Sequence, residues 1–188
     1  TALALLEADG DLSSPEFKIL STALYSQIDI HKEYGGVFPA LAKREHAKNL
    51  VPLLEKLDVS KKSDNENIFD SKVLEKAEEI LEREPELFAK LRNFVETYEK
   101  PEIDVITVTS GPGLEPALWV GINFARALSV LWNIPVLAVN HMEGHIASVL
   151  LESKVTNFPA LGLLISGGHT ELVLINNWGE YKLSLIHI

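Results

Sequence analysis

The chain has 188 residues, enough for one good domain or for one domain with part of a second. Its composition, 46% hydrophobic and 23% charged, is ordinary for a soluble globular protein, and with no cysteine it has neither disulfides nor thiolate metal sites. A net charge of −10 works against autonomous binding to nucleic acid, so an RNA substrate would need a local basic patch or a basic partner.

The first residue is Thr1, with no Met and no basic stretch ahead of an apolar one, so the chain reads as a fragment without a secretory signal, and a cytoplasmic location is expected. Ala2 to Ala8 and Phe17 to Tyr25 are short apolar runs separated by Asp9-Gly10-Asp11 and Ser13-Ser14-Pro15, which predicts a loose hairpin of edge strands. Gly35-Gly36 permit a tight turn before Pro39, which opens a helix. Along it Leu50, Leu53, Leu54 and Leu57 follow the spacing of a buried face, with Pro52 set to kink it. His31, Arg44 and His46 read as solvated positions, with the lining of a site as the alternative.

Residues 60–100 read as an insert. A polar loop, Lys61 to Asn67, precedes an amphipathic helix carrying Val73, Leu74, Ala77, Ile80 and Leu81. Pro85 ends or restarts it, and Leu87, Phe88, Leu91, Phe94 and Val95 form the stripe of a second helix. A helical hairpin packed on the domain, stabilising and without chemistry of its own, is the expectation.

The β-branched run Ile103 to Thr109 predicts a strand buried on both faces, leading into Ser110-Gly111-Pro112-Gly113 and a helix from about Glu115 to Trp132. Such a Gly-rich turn either offers backbone N–H groups to an anion or serves turn geometry alone. Pro135 to Val139 is the next strand, parallel to the first through a right-handed crossover. Leu118 to Val139 is the most apolar stretch, but Asn123, Arg126, Asn133 and Pro135 make it a buried helix and strand, not a membrane span.

Val139 to His145 concentrates the chemistry. Asn140 is a good N-cap, and Glu143 completes a capping box. His141 and His145 lie one helical turn apart on one face, so their rings can meet at a common ion such as Fe²⁺ or Zn²⁺, just past the carboxyl end of a strand. The other reading is two histidines at helical spacing by coincidence; two ligands are too few for a catalytic site, and no third announces itself. Zinc peptidases of the His-Glu-x-x-His type carry their base directly after the first His, where this chain has Met142. A domain boundary is expected around Ser153 to Pro159. Ala160 to Ile165 and Thr170 to Ile175 follow as strands joined across Ser166-Gly167-Gly168-His169, either a plain hairpin or a turn that admits a phosphate, and Gly179 to Ile188 would be a third strand.

Six blocks in order carry a family resemblance: Leu24-Tyr25-Ser26-Gln27; His31 with Tyr34-Gly35-Gly36-Val37 and Pro39; Arg44 with His46; Gly111-Pro112-Gly113-Leu114; His141-Met142-Glu143-Gly144-His145; and Ser166-Gly167-Gly168-His169-Thr170. Over nearly the whole chain apart from residues 60–100, the sequence resembles the TsaD family of tRNA N6-adenosine threonylcarbamoyltransferases, once labelled glycoprotease or O-sialoglycoprotein endopeptidase. The resemblance implies an α/β protein of the actin-like, sugar-kinase-like ATPase superfamily, an RNase H-like fold. Residues 1–155 would be the first actin-like domain, nearly complete, with the helical insert 60–100, and residues 156–188 the N-terminal strands of a truncated second domain.

It further implies an acyltransferase of tRNA modification, moving threonylcarbamoyl from threonylcarbamoyl adenylate to N6 of adenine 37 in tRNAs that read codons starting with A. The implied cofactor is one divalent ion, Fe²⁺ or alternatively Zn²⁺, held by His141, His145 and an aspartate near the far end of the intact protein. Leu164, Ile165, Ser166, Gly167 and Gly168 would hold the adenylate. Two ligands of one ion place the ring nitrogens within about 4 Å of each other, and a shared small substrate places the Ser166–Gly168 backbone within roughly 10 Å of the pair. Implied partners are tRNA, a non-catalytic paralogue of the same fold and a small ATPase, with no membrane. Two departures stand out: the family's opening strand, with its Glu-Thr-Ser-Cys-Asp-Glu signature, would precede Thr1, and after Leu183 Ser-Leu-Ile-His-Ile replaces a Gly-Glu-x-x-Asp-Asp-Ala segment. The chain therefore reads as a truncated member, with activity expected of the intact protein and not of this fragment alone. The alternatives are a metalloendopeptidase, disfavoured by Met142, and a non-catalytic module like the paralogue, which lacks the metal histidines.

Overall fold

The computed structural model describes residues 1–11, 14–64, 67–152, 157–165, 170–177 and 179–184. The chain divides into two compact units, residues 1–7 with 18–139, and residues 8–17 with 140–188.

The first unit is built on helices. α1 (Ile28–Lys32) is a single short turn, and α2 (Pro39–Leu57) starts with Pro39, whose missing N–H costs nothing in the first turn. α3 (Ser71–Ile80) is capped by Asp70, whose carboxylate accepts the Lys72 N–H at 2.9 Å. α4 (Pro85–Thr97) again opens on proline, and α5 (Glu115–Trp132) ends at Asn133 in the left-handed conformation. The main core joins Leu50, Val51 and Leu54 of α2 to Leu87, Leu91, Phe94 and Val95 of α4 and Val120, Phe124 and Leu128 of α5. Leu53 and Leu57, on the adjoining stripe of α2, pack instead with Ala23, Leu3 and Leu5. All four leucines of the predicted face are buried, shared between two clusters.

α4 lies inside the main core, not on its surface: Leu91 is fully buried and Phe94 nearly so. Two polar contacts fix it to α2. Lys43 pairs with the buried carboxylate of Glu84 at 2.9 Å, and Lys90 donates to the Lys48 carbonyl at 3.4 Å. The second contact answers Pro52. That proline lies within a continuous α2 and has no N–H to give the carbonyl four residues back, which is that of Lys48. Asn67 closes the other end of α4, its side chain donating to the Val95 and Tyr98 carbonyls at 3.0 and 2.7 Å while its backbone N–H reaches that of Glu96.

Among the described residues the strands form three small sheets. β1 (Ala2–Asp11) and β2 (Ser14–Leu24) pair with each other as a long two-stranded ribbon. The predicted hairpin is present, but it is a sheet by itself and not the edge of a larger one.

β3 (Ile106–Gly111) pairs with β4 (Val136–Asn140). The Ile106 N–H donates to the Pro135 carbonyl and the Ser110 hydroxyl to that of Val139, contacts that advance together along both strands, as a parallel pair requires. The expectation of burial on both faces fails here. α5 packs against β3, yet Thr107, Thr109, Val136 and Leu137 are exposed. The reason is legible in Ile106-Thr107-Val108-Thr109: all four are β-branched, but hydroxyls alternate with methyls, the pattern of a strand covered on one side.

In the second unit α6 (His141–Glu152) packs against β5 (Ala160–Ile165), which pairs antiparallel with β6 (Thr170–Asn177) and that with β7 (Glu180–Ser184). Ile165 stands opposite Thr170, so the strands run as the Gly-Gly hairpin requires. Gly179, at φ +72°, turns the chain between Asn177 and Glu180. Val173 and Ile175 are buried, whereas Leu161, Leu163 and Ile165 of β5 and Leu174 of β6 leave an open apolar face.

Candidate metal centre

Asn140 ends β4 and caps α6, its side-chain oxygen accepting the N–H groups of Met142 at 2.8 Å and Glu143 at 3.4 Å. The cap sets the first turn, and the helix then places His141 and His145 side by side. Their Nε2 atoms are 3.2 Å apart, with ring centroids at 4.4 Å and planes tilted by 60°. Both rings are exposed. At that distance either one N–H donates to the other ring's lone pair, or two lone pairs converge on a shared point.

The donor set fits a transition-metal ion. Two nitrogens bonded to one tetrahedral ion at about 2.0–2.1 Å stand about 3.3 Å from each other, close to the separation found. Neutral imidazoles are ordinary ligands for Zn²⁺ and Fe²⁺. A Cβ added at Gly144, between the two histidines, would meet nothing within 4 Å, so the first turn of α6 is open at that point. Among the described residues no group of three or more His, Asp or Glu side chains gathers around a common point, so the pair offers two donor nitrogens and not a complete shell.

Leu164 and Ile165 close β5 on opposite faces, Leu164 half-buried opposite Glu171 and Ile165 exposed opposite Thr170. Ser166, Gly167 and Gly168 lie outside the described residues, and with them their expected distance from the histidines.

The turn Ser110–Gly113 leads into α5 as expected, with Leu114 at the N-cap and no side chain capping it. Glu115 occupies the first turn, and its carboxylate accepts from Trp119 Nε1 at 3.4 Å.

Two of the three residues read as solvated are not. His31 is buried and His46 half-buried, and only Arg44 is exposed. His31 accepts the Phe38 N–H at Nδ1 and meets Gln27 Oε1 through Nε2, while His46 Nδ1 meets the Thr1 hydroxyl at 2.7 Å. Burial first, and His31 after it, hold the His46 ring below its ordinary pKa of 6.5. Burial and the Glu45 carboxylate beside it push the Tyr25 hydroxyl up. The sequence reading missed Gln27 and Thr1 as members of this network. Gln27 is signalled only by its four-residue spacing from His31, and Thr1 by nothing, since it meets His46 across 45 positions of sequence.

The sequence pattern of the family described as TsaD, tRNA N6-adenosine threonylcarbamoyltransferase, matches residues 18–67 and 82–185. The chain belongs to the TsaD family. The match includes the His141–His145 turn and all of α4, and it leaves out residues 68–81, which contain α3. The TsaD description is that of a transferase acting on tRNA.

Proposed function

We propose that the protein takes part in forming threonylcarbamoyladenosine in tRNA, moving the threonylcarbamoyl group of threonylcarbamoyl adenylate to N6 of adenine 37 in tRNAs that read codons starting with A. The observation that carries this reading is the TsaD match across 18–67 and 82–185, with the paired imidazoles of His141 and His145 inside it. In the reaction N6 attacks the carbamoyl carbon, the new N–C bond forms as the C–O bond to the phosphate breaks, AMP departs and N6 loses a proton. A divalent ion, Fe²⁺ or Zn²⁺, would supply Lewis-acid polarisation when bound. His141 and His145 would hold it through Nε2, kept side by side by the Asn140 cap.

Leu164, Ile165, Ser166, Gly167 and Gly168 are assigned to the adenylate, the two glycines for the close approach they allow a phosphate. The actin-like fold, with residues 1–155 as its first domain and 156–188 opening the second, comes with this reading, as do a cytoplasmic site of action and two partners, a non-catalytic paralogue and a small ATPase. No helix among the described residues is long and apolar enough to cross a membrane.

The test is transplantation. Residues 18–185 replace the matching span of an active family member, and modified adenosine is quantified in tRNA after incubation with adenylate and partners. The chimera should modify tRNA, and His141→Ala within it should lower the rate by about a hundredfold or more, the scale at which loss of electrostatic stabilisation is felt. A chimera that folds and is inactive, or is indifferent to His141→Ala, refutes the assignment.

A further inference from the structure

Asp9-Gly10 is the one Asp-Gly pair in the chain, which holds no Asn-Gly pair. It lies near the end of β1 with both residues exposed, just beyond Glu7, whose carboxylate pairs with Lys18 of β2 at 3.6 Å. Gly10 sits at φ +84°, in the left-handed region that favours glycine. Its backbone N–H turns back on the preceding residue and donates to Asp9 Oδ1 at 2.7 Å. Asp9 Cγ is one bond of about 1.2 Å from that oxygen, so the Gly10 nitrogen stands no more than about 3.9 Å from the carboxyl carbon.

A bond between those two atoms closes a five-membered ring. The N–Cγ bond forms as a Cγ–O bond breaks, and the amide proton leaves with the carboxyl hydroxyl as water, giving a succinimide across Asp9 and Gly10. Solvent water then adds to one of the two ring carbonyls. Addition at Cγ breaks the N–Cγ bond and restores aspartate. Addition at the backbone carbonyl of Asp9 breaks its bond to nitrogen instead, and the chain then runs through Cγ as an isoaspartyl linkage with a free α-carboxylate. Nothing is oxidised or reduced, and water is the only co-reactant. The approach is set by the fold, and Gly10 brings no Cβ to crowd the attacking nitrogen.

Sequence alone does not single out this pair, because Asp70-Ser71 is also an exposed aspartate ahead of a small residue. The structure separates them. Asp70 caps α3, and its carboxylate accepts the Lys72 N–H at 2.9 Å, so it is engaged with a nitrogen other than that of Ser71, which ring closure would need.

We propose that Asp9-Gly10 is a site of spontaneous succinimide formation, at which β1 acquires an isoaspartyl linkage as the protein ages. The product carries one extra methylene in the backbone, which breaks the alternation of side chains at the end of β1. The site needs no metal, substrate or partner, and it stands apart from the proposed transfer reaction.

The test ages the full chain, folded, at physiological temperature and pH, beside a synthetic peptide of residues 5–14 and the full chain in urea. Isoaspartate is read by labelled methyl transfer from an isoaspartate-specific methyltransferase. The succinimide is read as the loss of one water from the tryptic peptide that ends at Lys18, with fragmentation placing the change at residue 9. In the folded chain residue 9 should convert at least as fast as in the peptide, and its isoaspartate should exceed that at Asp70 by at least about tenfold, a margin that shrinks in urea. Asp9→Asn should pass through the same ring with ammonia leaving in place of water, and so should deamidate at position 9 before any natural asparagine of the folded chain. A folded chain slower than the peptide at residue 9, comparable isoaspartate at Asp9 and Asp70 in the folded chain, or an Asp9→Asn variant that deamidates first elsewhere would overturn the assignment.

Discussion

At the scale of single residues, His46 ties folding to pH. Its ring is held below its ordinary pKa in the folded chain, chiefly by burial, so the unfolded chain binds a proton at a higher pH than the folded one does. The contribution of His46 to stability is therefore complete above pH 6.5, the ordinary value, and is lost progressively as pH falls from there towards the folded-state value. Urea unfolding in steps through this window should show a declining midpoint in the natural chain and a flatter one in His46→Gln. A natural chain with a level midpoint would contradict the burial of this ring. The sequence made His31 and His46 visible as polar residues near a Gly-Gly turn, but not as buried ones. Their burial depends on partners from α2, α1 and the start of β1, which adjacency in sequence does not reveal. His141 and His145 were legible because the interaction is local: four residues on one helix face meet whatever the rest of the chain does.

At the scale of elements, α2 shows how a local fault is repaired from a distance. Pro52 removes the N–H that would reach the Lys48 carbonyl, and Lys90 of α4 reaches it instead. The contact is exposed and long, so Lys90→Met should cost only about 0.5 kcal/mol in the natural background. Pro52→Ala restores the backbone donor and should be stabilising, and in that background Lys90→Met should be close to neutral. A double-mutant cycle from chemical denaturation measures the coupling, and strictly additive effects would separate the two residues. Helices were the most legible elements because apolar spacing and Pro at the first position agree. What composition hid was how much of the core α4 supplies: an amphipathic stripe looks alike whether it lies on a surface or, as with Leu91 and Phe94, within the main cluster. The parallel pair differs from expectation on one face because threonine, although branched like valine and isoleucine, carries a hydroxyl that suits an open side.

At the scale of the whole molecule, charge and chemistry pull against each other. A family that acts on tRNA is represented here by a chain of net charge −10. Filter binding at physiological salt should find tRNA held by this chain alone no more tightly than non-specific complexes, about 10⁻⁴ to 10⁻⁶ M. Tight retention by the chain alone, falling steeply as salt is raised, would show a basic surface that the overall charge conceals. Family membership was legible at this scale, from six ordered blocks, more firmly than from any single element. The His141–His145 pair is where that membership meets geometry, and ring NMR resolves it residue by residue. On titration with Zn²⁺ the His141 and His145 signals should move together with one midpoint, while those of His31 and His46 stay in place, and His145→Ala should abolish the movement of His141. Unmoved rings, or two rings with separate midpoints, would mean that the imidazoles do not share an ion.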